Sequence, residues 1–397
     1  MCMKINMLTT MEAAARLGVK PATLYAYVSR GVLSRIAAAD GQRSLFRKGE
    51  VEALARRGRP RAAQAADELR ITSAITELGP SLFRYRGHDV VALTQQQGFE
   101  SVAELLWSGE LTPQVRWPIV PLSPRVARAI ARLPAGTGPL ERYLCVTTQC
   151  AADDPLRIDL GPAQVMAAAR NLVGALIAAL PLLGPGEPAA GYVAERLWPR
   201  LSPQPAGRAR VALLDAALVL LADHELATST LAARVAASAR AHPFAVLAAG
   251  FAALSGPLHG KAATAVQRVL RAARHTTPPA RAWADAHGGS RLAPGFGHPV
   301  YTRDVRAVAL YARLLPQLRS RDRTLIEAVR LHGEKSTGKP FNIDFVLAAM
   351  ATAFDMPLGA TEAVFALARS AGMLAHAIEE YAAPPLRFRA RATYVGP

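Results

Sequence analysis

Apolar positions along this 397-residue chain fall into two regimes. In the first sixty residues they come in short groups separated by turn formers, and the pattern predicts helix, tight turn, helix, hairpin and helix. Thr10 is placed to cap the first helix, Ala13, Ala14 and Leu17 supply its apolar stripe, and Gly18 makes the turn. Pro21 suits the first turn of the second helix, whose Leu24 and Val28 face inward and whose Ala22, Tyr25, Ala26, Ser29 and Arg30 face out. Asp40-Gly41 signals a hairpin that carries Arg43, Arg47 and Lys48 like a wing.

From about Arg70 onward the chain reads as mostly helix, punctuated by proline and glycine and without an internal repeat. Residues 81–111 predict a short turn-rich start followed by a helix with apolar residues at three- and four-residue spacing. The runs VALLDAALVLLADHELA and VMAAARNLVGALIAALPLLG are interrupted by Asp215, Asp223 or Arg170 before they could span a bilayer, so they predict buried helices of a soluble protein. The expected organisation is a small domain over 1–60, a basic linker over 61–70 and a large domain over 71–397.

Composition sharpens this picture. Hydrophobic residues make up 51% and aromatics only 6%, which points to a mainly α fold of close-packed, alanine-rich helices. Residues 1–61 hold twelve Lys and Arg against four Asp and Glu, a net +8 out of the chain's +17, so the small domain concentrates the attraction to polyanions. Cys2, Cys145 and Cys150 form no metal-ligand pattern and no disulfide framework, and the N-terminus lacks the apolar core of a signal peptide. A reduced, cytoplasmic setting with no metal is expected.

Four segments of the large domain carry polar groups that a packed core does not need. Asp223 and His224 follow an apolar run at an expected helix end, where a histidine can also simply satisfy carbonyls. His259 sits in a Gly-Pro turn before an amphipathic helix, where backbone N–H groups and the helix dipole favour an anion. His298 lies in GFGHPVY with Arg306 close behind, and Asp344 stands between Ile343 and Phe345 at the start of an alanine-rich helix. A carboxylate there is commonly an N-cap, but desolvation would also raise its proton affinity towards that of a base.

The stretches YRGHDVVAL, DHEL with a following ST, SGPLHG, GFGHPVY with VRA, NIDF, FALARSAGMLAHAIEE and RARATYVG occur in that order, and together they resemble citrate synthase from about Ile71 to Gly396. The resemblance implies all-helical large and small subdomains and a homodimer. It implies condensation of acetyl-CoA or propionyl-CoA with oxaloacetate, an acyl-CoA acting as cosubstrate and no cofactor held tightly. Asp344 would be the base, His259 would hydrogen-bond the thioester oxygen and His298 would polarise the ketone. His224, Arg306 and Arg369 would bind oxaloacetate, and Arg389 would be supplied by the partner subunit, although Arg387, Arg389 and Arg391 also read as a solvated basic tail. Ala227, Lys261, Pro299 and Thr302 depart from the family's usual DHELNAST, HGG and GHRVYK, with loss of basic groups beside the cosubstrate phosphates.

The first domain resembles the winged helix-turn-helix of mercury-resistance regulators. That resemblance implies duplex DNA as a partner, contacted through Tyr25, Arg30, Arg43 and Arg47. A DNA-binding regulator whose synthase-like domain senses oxaloacetate or acyl-CoA stays open beside the enzyme, as does a protein-docking role for the small domain.

Overall fold

The structure is a computed structural model that describes residues 7–17, 19–29, 31–38, 43–58, 71–186, 188, 190–275, 278, 281–283, 294–388, 393–394 and 396. Gly18, Arg30, the Asp40-Gly41 turn, the linker 61–70, Arg389 and Arg391 lie outside the described residues. The chain divides into two compact units, Met1–Thr72 and Ser73–Pro397.

In the first unit the order is β1 (Met7–Thr9), α1 (Thr10–Leu17), α2 (Pro21–Ser29), β2 (Arg35–Ala37), β3 (Ser44–Arg47) and α3 (Lys48–Gly58). The strands form one antiparallel sheet in the order β1-β3-β2, so the expected hairpin gains a third strand that is only three residues long. Ala13, Leu24, Leu33, Phe46 and Val51 close a small core. The helix cap is Thr9 rather than Thr10: the Glu12 N–H donates to Thr9 Oγ1 at 3.4 Å while the Thr9 N–H donates to Glu12 Oε2 at 2.8 Å. Thr9 closes the extended strand and can fold its side chain over the first turn, as a capping box requires. Thr10 is already helical, and its hydroxyl reaches the Ser44 carbonyl at 3.5 Å instead.

In the second unit a small antiparallel sheet, β4 (Thr76–Leu78), β5 (Phe83–Tyr85) and β6 (His88–Asp89), precedes the helices. These are α4 (Val90–Gln96), α5 (Phe99–Ser108), α6 (Pro124–Ala131), α7 (Pro139–Asp153), α8 (Pro162–Ala179), α9 (Val193–Leu201) and α10 (Arg208–Leu221). They continue as α11 (Thr228–Ser238), α12 (Pro243–Leu254), α13 (Ala262–His275), α14 (Val305–Leu314), α15 (Ser320–Thr337), α16 (Ile343–Ala353) and α17 (Ala360–Tyr381). The single helix expected within 81–111 is two, broken at Gln97-Gly98, where Asp215 from α10 accepts the Phe99 N–H at 3.1 Å. That capping carboxylate lies far away in sequence, so local periodicity could not reveal the break.

Helix α17 is the axis of the core. It is buried from Ala360 to Ala377 and packs against α5, α7, α8, α10, α11 and α12. Alanine at Ala363, Ala366, Ala368, Ala371, Ala375 and Ala377 lets so many neighbours come close. Gly372 donates its N–H to the Ala222 carbonyl at 2.9 Å, and a Cβ there would collide with Asp223 and that carbonyl. The central helix therefore touches the end of α10, where the site begins. Among the described residues no helix is long and apolar enough to cross a membrane.

Candidate active site

Six of the expected site residues, His224, His259, His298, Arg306, Asp344 and Arg369, line one cavity of about 500 Å³. They arrive from different segments. His224 lies in the turn after α10, His259 in the turn between α12 and α13, and His298 in the loop before α14. Arg306 and Asp344 occupy the first turns of α14 and α16, and Arg369 lies midway along α17.

The loop of His298 is fastened to the strand-like approach to α16. Phe296 bridges Phe341, the Asn342 N–H donates to the Gly295 carbonyl at 2.9 Å, and Asn342 Nδ2 donates to the Gly297 carbonyl at 2.9 Å. Gly295 and Gly297 have φ of +87° and +74°, which glycine adopts without strain, and a Cβ on them would strike Val266 and Lys339. The glycines thus serve the turn and its packing, and they let His298 and Asp344 face one cavity. Asn342 caps α16 by accepting the Asp344 N–H at 3.0 Å, so Asp344 is not the cap and its carboxyl remains for the cavity.

Burial pushes the Asp344 carboxyl up to about 6 even though Arg306 opposes the rise. The imidazoles move the other way. Burial and the Arg369 charge bring His259 down to about 4, and burial and the Arg306 charge do the same for His298. His224 is held well below its ordinary value by burial, Arg306 and Arg369. All three rings are therefore neutral near pH 7. His298 Nδ1 accepts the N–H groups of Val300 at 3.1 Å and Tyr301 at 3.4 Å, so its proton sits on Nε2.

Other partners were not expected from the sequence. Ser229 Oγ lies 2.8 Å from His259 Nε2, and Tyr301 Oη lies 3.1 Å from His224 Nε2. Asp304 grips Arg306 with both oxygens and, like Ser229, is buried. Asp223 accepts from Thr76 Oγ1 at 2.5 Å and from the Glu225 N–H at 3.0 Å, which fixes the His224 turn. The ST after DHEL and the Asp two places before Arg306 were the available signals.

The two arginines keep donors in reserve. Arg306 uses Nε and Nη2 on Asp304, and Arg369 uses Nε on the Leu221 carbonyl at 3.0 Å. Among the described residues Nη1 of Arg306 and both terminal nitrogens of Arg369 make no hydrogen bond, which suits a bidentate, doubly charged ligand. In the first unit, Tyr25 is 43% exposed, and the Arg47 side chain is 65% exposed and 3.9 Å from Glu50. Arg43 is described next to β3. No group of His, Cys, Asp and Glu able to hold a metal occurs among the described residues.

The helical unit has the citrate synthase fold. It superposes with a TM-score of 0.71 on the ternary complex of carboxymethyl coenzyme A and oxaloacetate with citrate synthase from Thermoplasma acidophilum, at 22% identity over 83% of this chain and 95% of that one. Citrate synthase from Thermotoga maritima gives a TM-score of 0.67 at 23% identity, covering 83% and 94%. The chain belongs to the citrate synthase family: the profile of the citrate synthase C-terminal domain matches residues 64–391, and that of a helix-turn-helix domain matches residues 7–59. The citrate/2-methylcitrate synthase of Bacillus subtilis is 28% identical over 335 residues, 79% of this chain and 90% of its own. The 2-methylcitrate synthase of Mycobacterium tuberculosis is 26% identical over 347 residues, covering 82% and 88%.

Proposed function

We propose that the chain is an acyltransferase that joins the α-carbon of a short acyl-CoA, acetyl or propionyl, to the ketone carbon of oxaloacetate and releases citrate or 2-methylcitrate with free CoA. Asp344 removes the α-proton of the thioester. The Ser229 hydroxyl donates to His259 Nε2, so that Nδ1–H faces the thioester oxygen as the enol forms. The enol carbon attacks the ketone while His298 Nε2–H protonates its oxygen. Water then cleaves the thioester bond, and the thiolate takes a proton as CoA leaves. Arg306, Arg369 and His224 hold the oxaloacetate carboxylates, with Arg389 of the partner subunit completing the clamp of a cytoplasmic homodimer.

The observation that carries this reading is one cavity that pairs a carboxyl lifted to about 6 with two imidazoles lowered to about 4. A base that is ionised at neutral pH and imidazoles that donate without being cations are what proton abstraction beside a carbonyl requires. The test is thiol release by the purified protein with oxaloacetate and either acetyl-CoA or propionyl-CoA. Release that depends on oxaloacetate supports the proposal, and the better acyl donor names the product. No release with either donor overturns it in favour of a sensor.

The helix-turn-helix domain supports a second reading, a DNA-binding regulator whose synthase-like domain senses oxaloacetate or acyl-CoA. Exposed Tyr25 and Arg47 favour this, and Arg30 and Arg43 would add phosphate contacts. Retention of Asp344 separates the readings, because sensing a dianion needs the arginines but no base.

A further inference from the structure

Arg369, Gly372 and His376 follow one another at three- and four-residue spacing, so they share one face of α17. That face meets consecutive residues at the end of α10. Arg369 Nε donates to the Leu221 carbonyl at 3.0 Å, the Gly372 N–H donates to the Ala222 carbonyl at 2.9 Å, and His376 Nε2 lies 3.4 Å from Asp223 Oδ2. The row ends one residue short of His224.

The first two contacts take backbone carbonyls, whereas the third takes a side chain that nothing local would aim. Asp223, Arg234, His376 and Glu380 have no solvent exposure. Arg234 Nη1 lies 2.8 Å from His376 Nδ1, and a guanidinium has donors alone, so Nδ1 accepts and the ring proton sits on Nε2, towards Asp223. Arg234 is held in turn by Glu379 at 2.6 Å and by Glu380 at 3.0 Å, and Arg387 grips both oxygens of Glu380. The imidazole therefore has a fixed direction.

Asp223 Oδ1 is buried without a partner among the described residues, so the donors at Oδ2 orient this carboxylate. They are Thr76 Oγ1 at 2.5 Å, the Glu225 N–H at 3.0 Å and His376 Nε2. Glu225 has φ of +53°, a left-handed backbone that disfavours a residue with a Cβ, and its bond to Asp223 holds the turn in that shape. Burial weakens the hold of Arg369 on its proton, and the Asp223 charge works against that loss. One carboxylate thus serves both His224 and Arg369.

We propose that His376 is a positioning residue for oxaloacetate binding: its Nε2–H aims Asp223, and Asp223 so held keeps the His224 turn and the Arg369 cation set for the dianion. This rests on the reading that the cavity takes oxaloacetate.

Calorimetric titration of the full chain with oxaloacetate, in the absence of acyl-CoA, tests the proposal without reference to turnover. His376→Asn keeps an acceptor for Arg234 but is too short to reach Asp223, and His376→Phe keeps a ring without polar atoms. His376→Gln carries an amide N–H out to Asp223. The Asn and Phe variants are expected to bind oxaloacetate about tenfold more weakly than the parent, and the Gln variant within about threefold of it. In thiol release the KM for oxaloacetate should follow the same order while the KM for the acyl-CoA stays at the parental value, which a general loss of packing would not spare. Thermal midpoints identify the folded variants, and either Asn or Phe suffices beside Gln.

Parental affinity in a folded Asn or Phe variant, a loss of about tenfold in a folded Gln variant, or a joint rise of both KM values would each overturn the proposal. A parent that binds oxaloacetate but releases no thiol overturns the acyltransferase reading alone, since the calorimetric comparison still decides the role of His376. A parent that does not bind oxaloacetate overturns both.

Discussion

Asp304 holds Arg306 through both carboxylate oxygens, Oδ1 to Nε and Oδ2 to Nη2, each at 2.9 Å, and the same Oδ2 accepts the Ile343 N–H at 3.1 Å. One carboxylate therefore ties the arginine of α14 to the helix turn that carries Asp344. Burial works against its charge, but Arg306 more than compensates and holds the Asp304 carboxyl below its usual range.

The first prediction follows from this tie. Asp304→Ala leaves a buried guanidinium unpaired and is expected to cost about 3–5 kcal/mol of stability. The KM for oxaloacetate should rise as Arg306 loses its fixed position. Thermal unfolding and initial-rate kinetics measure the two effects. A variant as stable as the parent would mean that Asp304 is not what secures Arg306.

Asp344→Asn should lower turnover by roughly a hundred- to ten-thousand-fold while oxaloacetate still binds, because an amide keeps the shape but cannot take a proton. In the parent protein, activity should rise with pH along a limb centred near 6, as the carboxyl loses its proton. The stability effect has the opposite sense. A carboxyl whose folded value is raised from 3.8 to about 6 weakens the fold as pH climbs through that window. The variant should thus be more stable than the parent at pH 7 by about 3 kcal/mol, and the gain should vanish below about pH 4. A pH-rate profile and urea unfolding at two pH values check both.

Ser229→Ala removes the partner of His259 Nε2 without touching either carboxylate site. Loss of one hydrogen bond of about 1 kcal/mol predicts roughly a fivefold fall in kcat, with the KM for oxaloacetate unchanged. A rise in that KM with kcat intact would show that the serine supports the neighbouring turn instead of the imidazole.

Arg389 and Asp344 are expected to serve one site from two chains. Asp344→Ala and Arg389→Ala should each be nearly inactive, and refolding a mixture of them should restore roughly a quarter of parental activity in an isologous dimer. Half the dimers are then mixed, and half of their sites carry neither defect. Absence of recovery, once subunit exchange is proven, would place Arg389 in its own chain's site or in a solvated tail.

The first unit is expected to bind duplex DNA with affinity that falls steeply as salt rises. Replacing Arg43 and Arg47 with alanine should weaken binding to all sequences alike and flatten the salt slope. Mobility shifts with genomic fragments at low salt are the measurement, and no shift under those conditions favours a protein-docking role.

The sequence by itself determined which chemical groups were available and where several of the helices begin. Pro21, Pro139, Pro162 and Pro243 sit in the first turns of their helices, and the apolar spacing around Leu24 or Val219 predicted buried faces, because these signals act within a few residues. The ordered motifs also made the citrate synthase resemblance legible, and residues 64–391 match that family. Tertiary structure decided the rest. It placed the cap of α5 on Asp215, gave His259 its serine and Arg306 its clamp, and drew six groups spread from His224 to Arg369 into one cavity. A proton's affinity for Asp344 or His298 depends on solvent exclusion and on charges brought near by folding, and neither is a property of the neighbouring residues in the chain.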